Sequence, residues 1–534
     1  MWVGSSVSWF LTNRPLKITQ RRKSREFSQV SLAMYLAANP KRRNNRMALR
    51  LCTGLLAVSV AGCAGLAPVG PDYQAPDVTV PAQWQESVSP TLTEIAVFEV
   101  DPLQNPANWW LELNDGDLNW FIAAALAQDL SIERAQARLQ QVRANRTQAV
   151  SALYPTINAK VAATPTFYGA PEAERPDTTQ YDAGFDASWE VDIFGGTRRS
   201  IEAAEADLQA SQAELANVQV SVIAEVAQNY VDVRNFQQRL AIARLNLASQ
   251  AETLQIAKWR YQAGLARQTD VAQSIASLEQ TRASIPDLEI ELARAKNRLA
   301  VLTGRVPGAV NDRLAIVKPL PVVPARVATG VPANVLTQRP DLRVAERNLA
   351  AETARVGQTM AKRYPSLNLG ASLGWTAFNL TGLGVTDSLI GVLFGTLSGT
   401  LFDGGRLRSQ VQAQTSVQEQ ALIQYEQAVL RALEDVENAL IAHAFSRQRS
   451  QALSESTVAA ESAAQQSREL YQAGLVDFEQ VLITERSQLN AQESFAQSQA
   501  TQLVTLIQLY KALGGGWQDT AVMMATPTKD TQSP

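Results

Sequence analysis

The stretch YDAGFDASWEVDIF, residues 181–194, alternates without a break. Tyr181, Ala183, Phe185, Ala187, Trp189, Val191 and Ile193 fall on one face; Asp182, Gly184, Asp186, Ser188, Glu190 and Asp192 fall on the other. Period two sustained this far is a strand with two unlike faces. A soluble sandwich strand alternates as well, but it does not account for four carboxylates on one side. Oil outward and acid inward is the pattern of a membrane barrel strand. Asp182, Asp186, Glu190 and Asp192 are therefore expected to line water.

PSLNLGASLGWTA, residues 365–377, alternates too, and Ile157, Ala159, Val161 and Ala163 do so more weakly. Segment 389–402 is ambiguous, because Ile390, Val392 and Phe394 oppose Leu389 and Leu393. The segments should pair as hairpins around polar loops 169–179 and 381–387. Four strands cannot close a barrel, and lipid tolerates no open edge. Two copies would give eight strands, whose interior side chains fill. Three give twelve and room for water. Burying the acids dry would cost several kcal/mol each, so the physics favours at least a trimer.

Outside these strands the chain repeats itself. Tyr-Gln-Ala-Gly-Leu occurs at Tyr261 and again at Tyr471, 210 residues on. LYPTIN (153–158) matches RYPSLN (363–368), and IFGGTRRS (193–200) matches LFDGGRLRS (401–409) in the same order. Each copy should begin with a helix, Leu130–Ala152 or Leu342–Lys362, ended by Tyr-Pro. After the strands come 67 residues without Gly or Pro, Thr197–Ala263, and then 68, Arg406–Ala473. Each can form a helix on the order of 100 Å long. Leu422, Tyr425, Val429, Leu433, Val436 and Leu440 approach a heptad seam. Elsewhere the seam is alanine-rich, which suits close-packed antiparallel helices. Gly264 and Gly474 fit the left-handed position beyond a helix end. Return helices are expected at Thr269–Val301, kinked at Pro286, and at Asp477–Leu513. Each unit thus makes one long hairpin with a sharp tip.

The first 62 residues read as an address. MALRLCTGLLAVSVAGC (47–63) has a basic start, an apolar segment too short to span a bilayer, and small residues before Cys63. VAGC resembles a bacterial lipobox, which makes Cys63 the expected lipidated first residue and Met47 the expected start in place of Met1. A single acylated terminus anchors weakly unless a second membrane contact helps. Net charge is −3; removing the nine net positive charges of residues 1–46 and that of Arg50 leaves −13 for the rest. A body that acidic is a poor partner for nucleic acid. With one histidine, His443, and two cysteines, Cys52 and Cys63, no Cys/His zinc site can be assembled in one chain. His443 reads as a helix-face residue; no catalytic residue, metal or cofactor is expected.

Together, Cys63, GPDYQAP (70–76), NWWLELND (108–115), Arg339-Pro340-Asp341, Tyr-Pro twice, LFDGG (401–405) and the two Tyr-Gln-Ala-Gly-Leu tips resemble a lipoprotein outer-membrane factor of the NodT type. Such proteins are the exit ducts of tripartite resistance-nodulation-division efflux systems. The resemblance covers about 63–517. It implies an α+β fold: long antiparallel helical hairpins in a coiled-coil-like barrel, plus four β-strands per chain in a trimeric twelve-stranded transmembrane barrel, duplicated internally. It implies an outer-membrane, lipid-anchored protein extending into the periplasm. The expected partners are two further copies, a periplasmic adaptor protein, an inner-membrane pump and outer-membrane lipid.

The expected domains are 1–62 (extension and signal), 63–124 (equatorial segment), 125–304 (first repeat, hairpins 154–194 and 197–303), 305–335 (linker), 336–514 (second repeat, hairpins 365–402 and 406–513) and 515–534 (tail). A duct needs a path and a gate. The gate is expected at the tips: Asp477, Arg468 and Tyr471 from the second, Arg260, Arg267 and Asp270 from the first. Asp477 also reads as a helix N-cap, and Asp270 as first-turn charge. Three copies of Asp477 about a narrow axis would favour cations. Gly264, Leu265, Gly474 and Leu475 are the expected adaptor-docking residues. The competing reading is a lipid-anchored periplasmic coiled-coil adaptor or scaffold, which leaves the four alternating segments unexplained.

Overall fold

The computed structural model describes residues 67–77, 80, 81, 84, 98, 99, 106–168, 177–324, 327, 328 and 338–517. Cys63 and the address segment lie outside the described residues, as do most of loop 169–179 and residues 518–534. In chain order the elements are β1 (Phe98–Glu99), α1 (Gly116–Gln128), α2 (Leu130–Ser151), β2 (Thr156–Thr166), β3 (Thr178–Val191), α3 (Gly196–Gln262), α4 (Gln268–Leu302), β4 (Val327–Ala328), α5 (Pro340–Ala361), β5 (Ser366–Ala377), β6 (Leu389–Ser398), α6 (Arg406–Gln472) and α7 (Phe478–Ala512). They form two units: residues 157–188 with 368–397, and the remainder.

The first unit is a four-stranded antiparallel sheet in the order β2-β3-β5-β6, so the two hairpins join through β3 and β5. Thr376 Oγ1 donates to Asp182 Oδ1 at 2.8 Å, and Gln180 Nε2 donates to the same carboxylate at 3.0 Å. The polar rows of β3 and β5 therefore share a face. Across that pair the backbones nearly touch: a Cβ on Gly184 would lie 2.6 Å from the Gly374 Cα. The ambiguous fourth segment is a strand with apolar residues on both faces. Gly391 and Gly395 meet Leu373 and Leu369 on the oily side, while the Phe394 ring covers Gly370 on the polar side. All ten residues of β6 are exposed, and ten of the eleven in β2. A sheet with neither face covered has no core of its own.

The second unit is helical. The two runs without Gly or Pro fold as single helices of 67 residues each, α3 and α6. α4 continues through Pro286. None of the six heptad positions from Leu422 to Leu440 is exposed, yet Ala421, Ala432 and Ala439 share the buried face. On α3 the buried positions Ala203, Ala206, Ala210, Ala213 and Ala216 let neighbouring backbones approach. The main core forms where α1, α3, α4 and α7 meet, with Trp109 stacked on Tyr510 at 5.2 Å. α1 was not expected, and it spans the domain boundary placed between residues 124 and 125.

Arg234, fully buried in that core, donates to Asp117 Oδ2 at 3.0 Å and to the Ile316 carbonyl at 2.9 Å. Lys318 and Arg313 reach the same carboxylate at 2.5 and 3.2 Å. Burial works against the charge of Asp117, but Lys318, Arg313 and Arg234 together hold its carboxyl below the usual range. The linker is thus fastened to α1 and α3. Buried Arg199 likewise fastens the segment around Val69–Asp72, donating to the Val69 and Gly70 carbonyls and to Asp72.

Gly184→Val is expected to force β3 off β5, costing about 1–3 kcal/mol through overpacking. Denaturant unfolding followed by the β-sheet signal measures it, and an unshifted midpoint would show that the two backbones part freely.

Candidate functional site

Four long helices end alike. Beyond α3, Leu265 N–H donates to the Arg260 carbonyl at 2.8 Å; beyond α6, Leu475 N–H donates to the Leu470 carbonyl at 2.9 Å. Gly264 (φ 72°) and Gly474 (φ 77°) hold the left-handed position that makes these bonds possible. The same closure recurs after α4 at Gly304 and after α7 at Gly514. Each tip is therefore a hydrogen-bonded reversal of the chain.

Between the tips sits a small apolar cluster of Ala257, Tyr471, Phe478 and Val481. Arg260 closes it. Its Nη1 donates to the Tyr471 carbonyl at 2.6 Å, and its guanidinium lies 4.6 Å above the Tyr471 ring. A cation from the first repeat thus caps the negative end of the long helix of the second. Tyr471 is 4% exposed, and its hydroxyl has no partner among the described residues. Burial pushes its phenol up, Arg260 pulls it down, and Asp270 adds to the rise. Tyr261, the same residue of the first repeat, is 46% exposed, and the position matching Arg260 in the second repeat is Leu470.

The remaining expected gate residues are placed differently. Asp270 Oδ2 accepts from the Arg267 N–H at 3.0 Å, which caps α4. Asp477 occupies the N-cap of α7 as expected, but its exposed side chain makes no capping hydrogen bond. Arg468 turns into the helix bundle, donating to Ser249 Oγ at 3.2 Å and lying 3.5 Å from Glu485. Glu485 and Thr253 were missed by the sequence reading. They stand 232 positions apart in different repeats, and only the packing of α7 on α3 brings them together. Leu265 and Leu475 stand out at the surface, 68% and 72% exposed. Gly264 has open space around its Cα.

Among the four acids of 181–194, Asp182 is engaged as described, and Asp186 and Glu190 are exposed. Asp192 departs from the expected row. It lies just past β3, accepts from the Thr197 and Arg198 N–H groups at 3.1 and 3.0 Å, and pairs with the Arg198 side chain. Its carboxylate caps α3 instead of facing open water. His443 is not at an open helix face either: it is 4% exposed, with Nδ1 3.4 Å from Thr505 Oγ1. Burial lowers its pKa to about 4. No group of three or more metal-ligating side chains occurs among the described residues.

Comparison with known proteins follows the duplication. The outer membrane efflux protein family matches twice, at residues 121–305 and 331–515. Nodulation protein T of Rhizobium leguminosarum bv. trifolii is 29% identical over 474 residues, 88% of this chain and 98% of that protein. The pyoverdine export outer membrane protein OpmQ of Pseudomonas putida is 31% identical over 481 residues, 88% of this chain and 97% of that one. Among solved structures, the outer-membrane channel OprN superposes with a TM-score of 0.79 at 33% identity, covering 84% of this chain and 100% of that chain.

Arg260→Ala is expected to weaken the clasp by about 1–2 kcal/mol. Amide exchange across the second tip should then accelerate roughly 5- to 30-fold while exchange in α1 stays constant. Equal exchange in both proteins would remove Arg260 from the clasp.

Proposed function

The chain belongs to the outer membrane efflux protein family, and on that premise we propose that it is the outer-membrane duct of a tripartite efflux pump. It gives exported compounds a passive, gated way out. One observation carries the reading: a sheet whose oily residues are exposed and whose outer strands, β2 and β6, have free edges. Water cannot account for the oily face, and lipid cannot accept the edges.

Three copies joined edge to edge supply twelve strands and a bore wide enough to stay wet. Within it Asp186 and Glu190 would meet water, and Asp182 would belong to the same lining. Acylation of Cys63 would add a second hold on the membrane. The work of export falls to an inner-membrane resistance-nodulation-division pump, linked to the duct by a periplasmic adaptor. Gly264, Leu265, Gly474 and Leu475 present exposed backbone and leucine to such an adaptor. The resting gate is the tip clasp: Arg260 and Tyr471 at its centre, Asp270 beside them, Arg267 and Arg468 in support, and Asp477 free to face an axis. A partner need disturb only a few kcal/mol of contacts to shift such a state.

Purified full-length protein should cross-link to a threefold mass and pass ions in planar bilayers; a monomer that conducts nothing would sink the reading. Asp477→Ala should lengthen open times or raise conductance, and unchanged traces would take Asp477 out of the gate.

A further inference from the structure

Glu485 is enclosed where three long helices meet, 3% exposed. Its Oε1 accepts from Thr253 Oγ1 of α3 at 2.7 Å. Arg468 of α6 stands 3.5 Å away and donates to Ser249 of α3. One acid on α7 therefore ties both helical hairpins together. The seam beside it is loosely bonded: Asn246 meets Gln492 by amide contact, Arg239 and Glu493 pair only at 4.0 Å, and Gln250 Oε1 and Gln488 Oε1 are buried without partners among the described residues.

We propose that Glu485 is an acid-sensitive latch: when neutral it holds α7 against α3, and when ionised it biases this junction towards opening. The proposal builds on the reading of the tips as the gate. A buried carboxylate is costly unless well paired. Here the pairing is one hydroxyl and one arginine at the limit of hydrogen-bond reach. Opening would return the carboxylate to water. The charged group facing Glu485 is Arg468; α3 presents Ser249 and Thr253, which do not titrate. Burial raises the Glu485 carboxyl above its ordinary range, and Thr253 and Arg468 draw it back only in part.

The sign follows from linkage. A carboxyl raised in the closed form favours closure below its ordinary range, and that contribution is lost as pH rises through the raised value. Acid therefore closes the latch. The closed-to-open ratio changes by at most about tenfold per pH unit for each copy.

The test is open probability of the full-length protein in planar bilayers from about pH 8 to about pH 5, with amide exchange at the junction measured alongside. The wild type should close as pH falls. Glu485→Gln, which keeps the acceptor for Thr253 and discards the charge, should be closed throughout, show slower junction exchange at neutral pH, and lose the part of the pH profile that Glu485 supplies. His443, whose charging would loosen packing in acid, is present in both proteins and cancels in the comparison. A Glu485→Gln protein with wild-type pH profile and wild-type exchange overturns the latch. Arg260→Ala separates the two readings. If it leaves the current unchanged while Glu485→Gln slows exchange, the tip gate fails and the latch stands as a hairpin contact. If it opens the channel while Glu485→Gln changes nothing, the latch alone fails.

Discussion

A strand edge in hydrocarbon can find hydrogen-bond partners only in another strand. The sheet has two such edges, β2 and β6. That obligation explains why the unit carries no core. Its two faces are meant for two solvents, so burial within one chain is unnecessary. Leu369, Leu373 and their neighbours across β6 can stay uncovered because lipid will cover them. Asp182, on the other face, is held by hydrogen bonds from Thr376 and Gln180. The same obligation makes the single chain incomplete, and it turns a two-hairpin sheet into a fraction of a larger wall. Glycines at 184 and 374 suit this role, since they let β3 and β5 pack closely where the two repeats join.

The helical unit solves a different problem. Helices of 67 residues cannot rest on one apolar stripe, because straight helices drift relative to any fixed repeat. Alanine relieves this, since a small residue tolerates drift without leaving a cavity. The seams then differ in kind. Between α3 and α4 the contact is hydrocarbon, with Leu240, Ala243 and Leu288 buried together. Between α3 and α7 the oil of the main core gives way to polar contacts, Asn235 with Gln497, Arg239 with Glu493 and Asn246 with Gln492. Separating hydrocarbon exposes oil to water, whereas parted amides re-bond to water at small net loss. Outside the main core, the plane between α3 and α7 therefore has less oil to expose on parting than the seam between α3 and α4.

How much of this was visible beforehand depended on the range of the signal. Parity along 181–194 is local, and β3 formed there. Absence of Gly and Pro is local too, and it placed both ends of α3 and α6 within a residue or two. The tip glycines were legible because positive φ has few tenants. β6 was expected as a strand but its faces could not be told apart, because Phe394 packs on a glycine of the polar face and blurs the alternation. α1 was passed over although Leu118, Phe121, Ile122 and Ala125 follow helical spacing. Asp192 was read with the strand, yet the helix that follows claims its carboxylate. The Glu485 junction was beyond reach, since no local pattern announces a partner in the other repeat.

Duplication explains one last asymmetry. Trp259-Arg260-Tyr261 in the first copy faces Glu469-Leu470-Tyr471 in the second. The shared tyrosine and glycine fix the same turn, but only an arginine can reach across to a neighbouring helix end. Arg260 therefore caps α6, and Leu470 cannot return the favour to α3. Displacing the second hairpin would strip a cap from its own end, while the first keeps every backbone bond of its turn. Two tips of common origin are in this way unequal: both close through their own backbone bonds, and the second is capped as well by an arginine of the first.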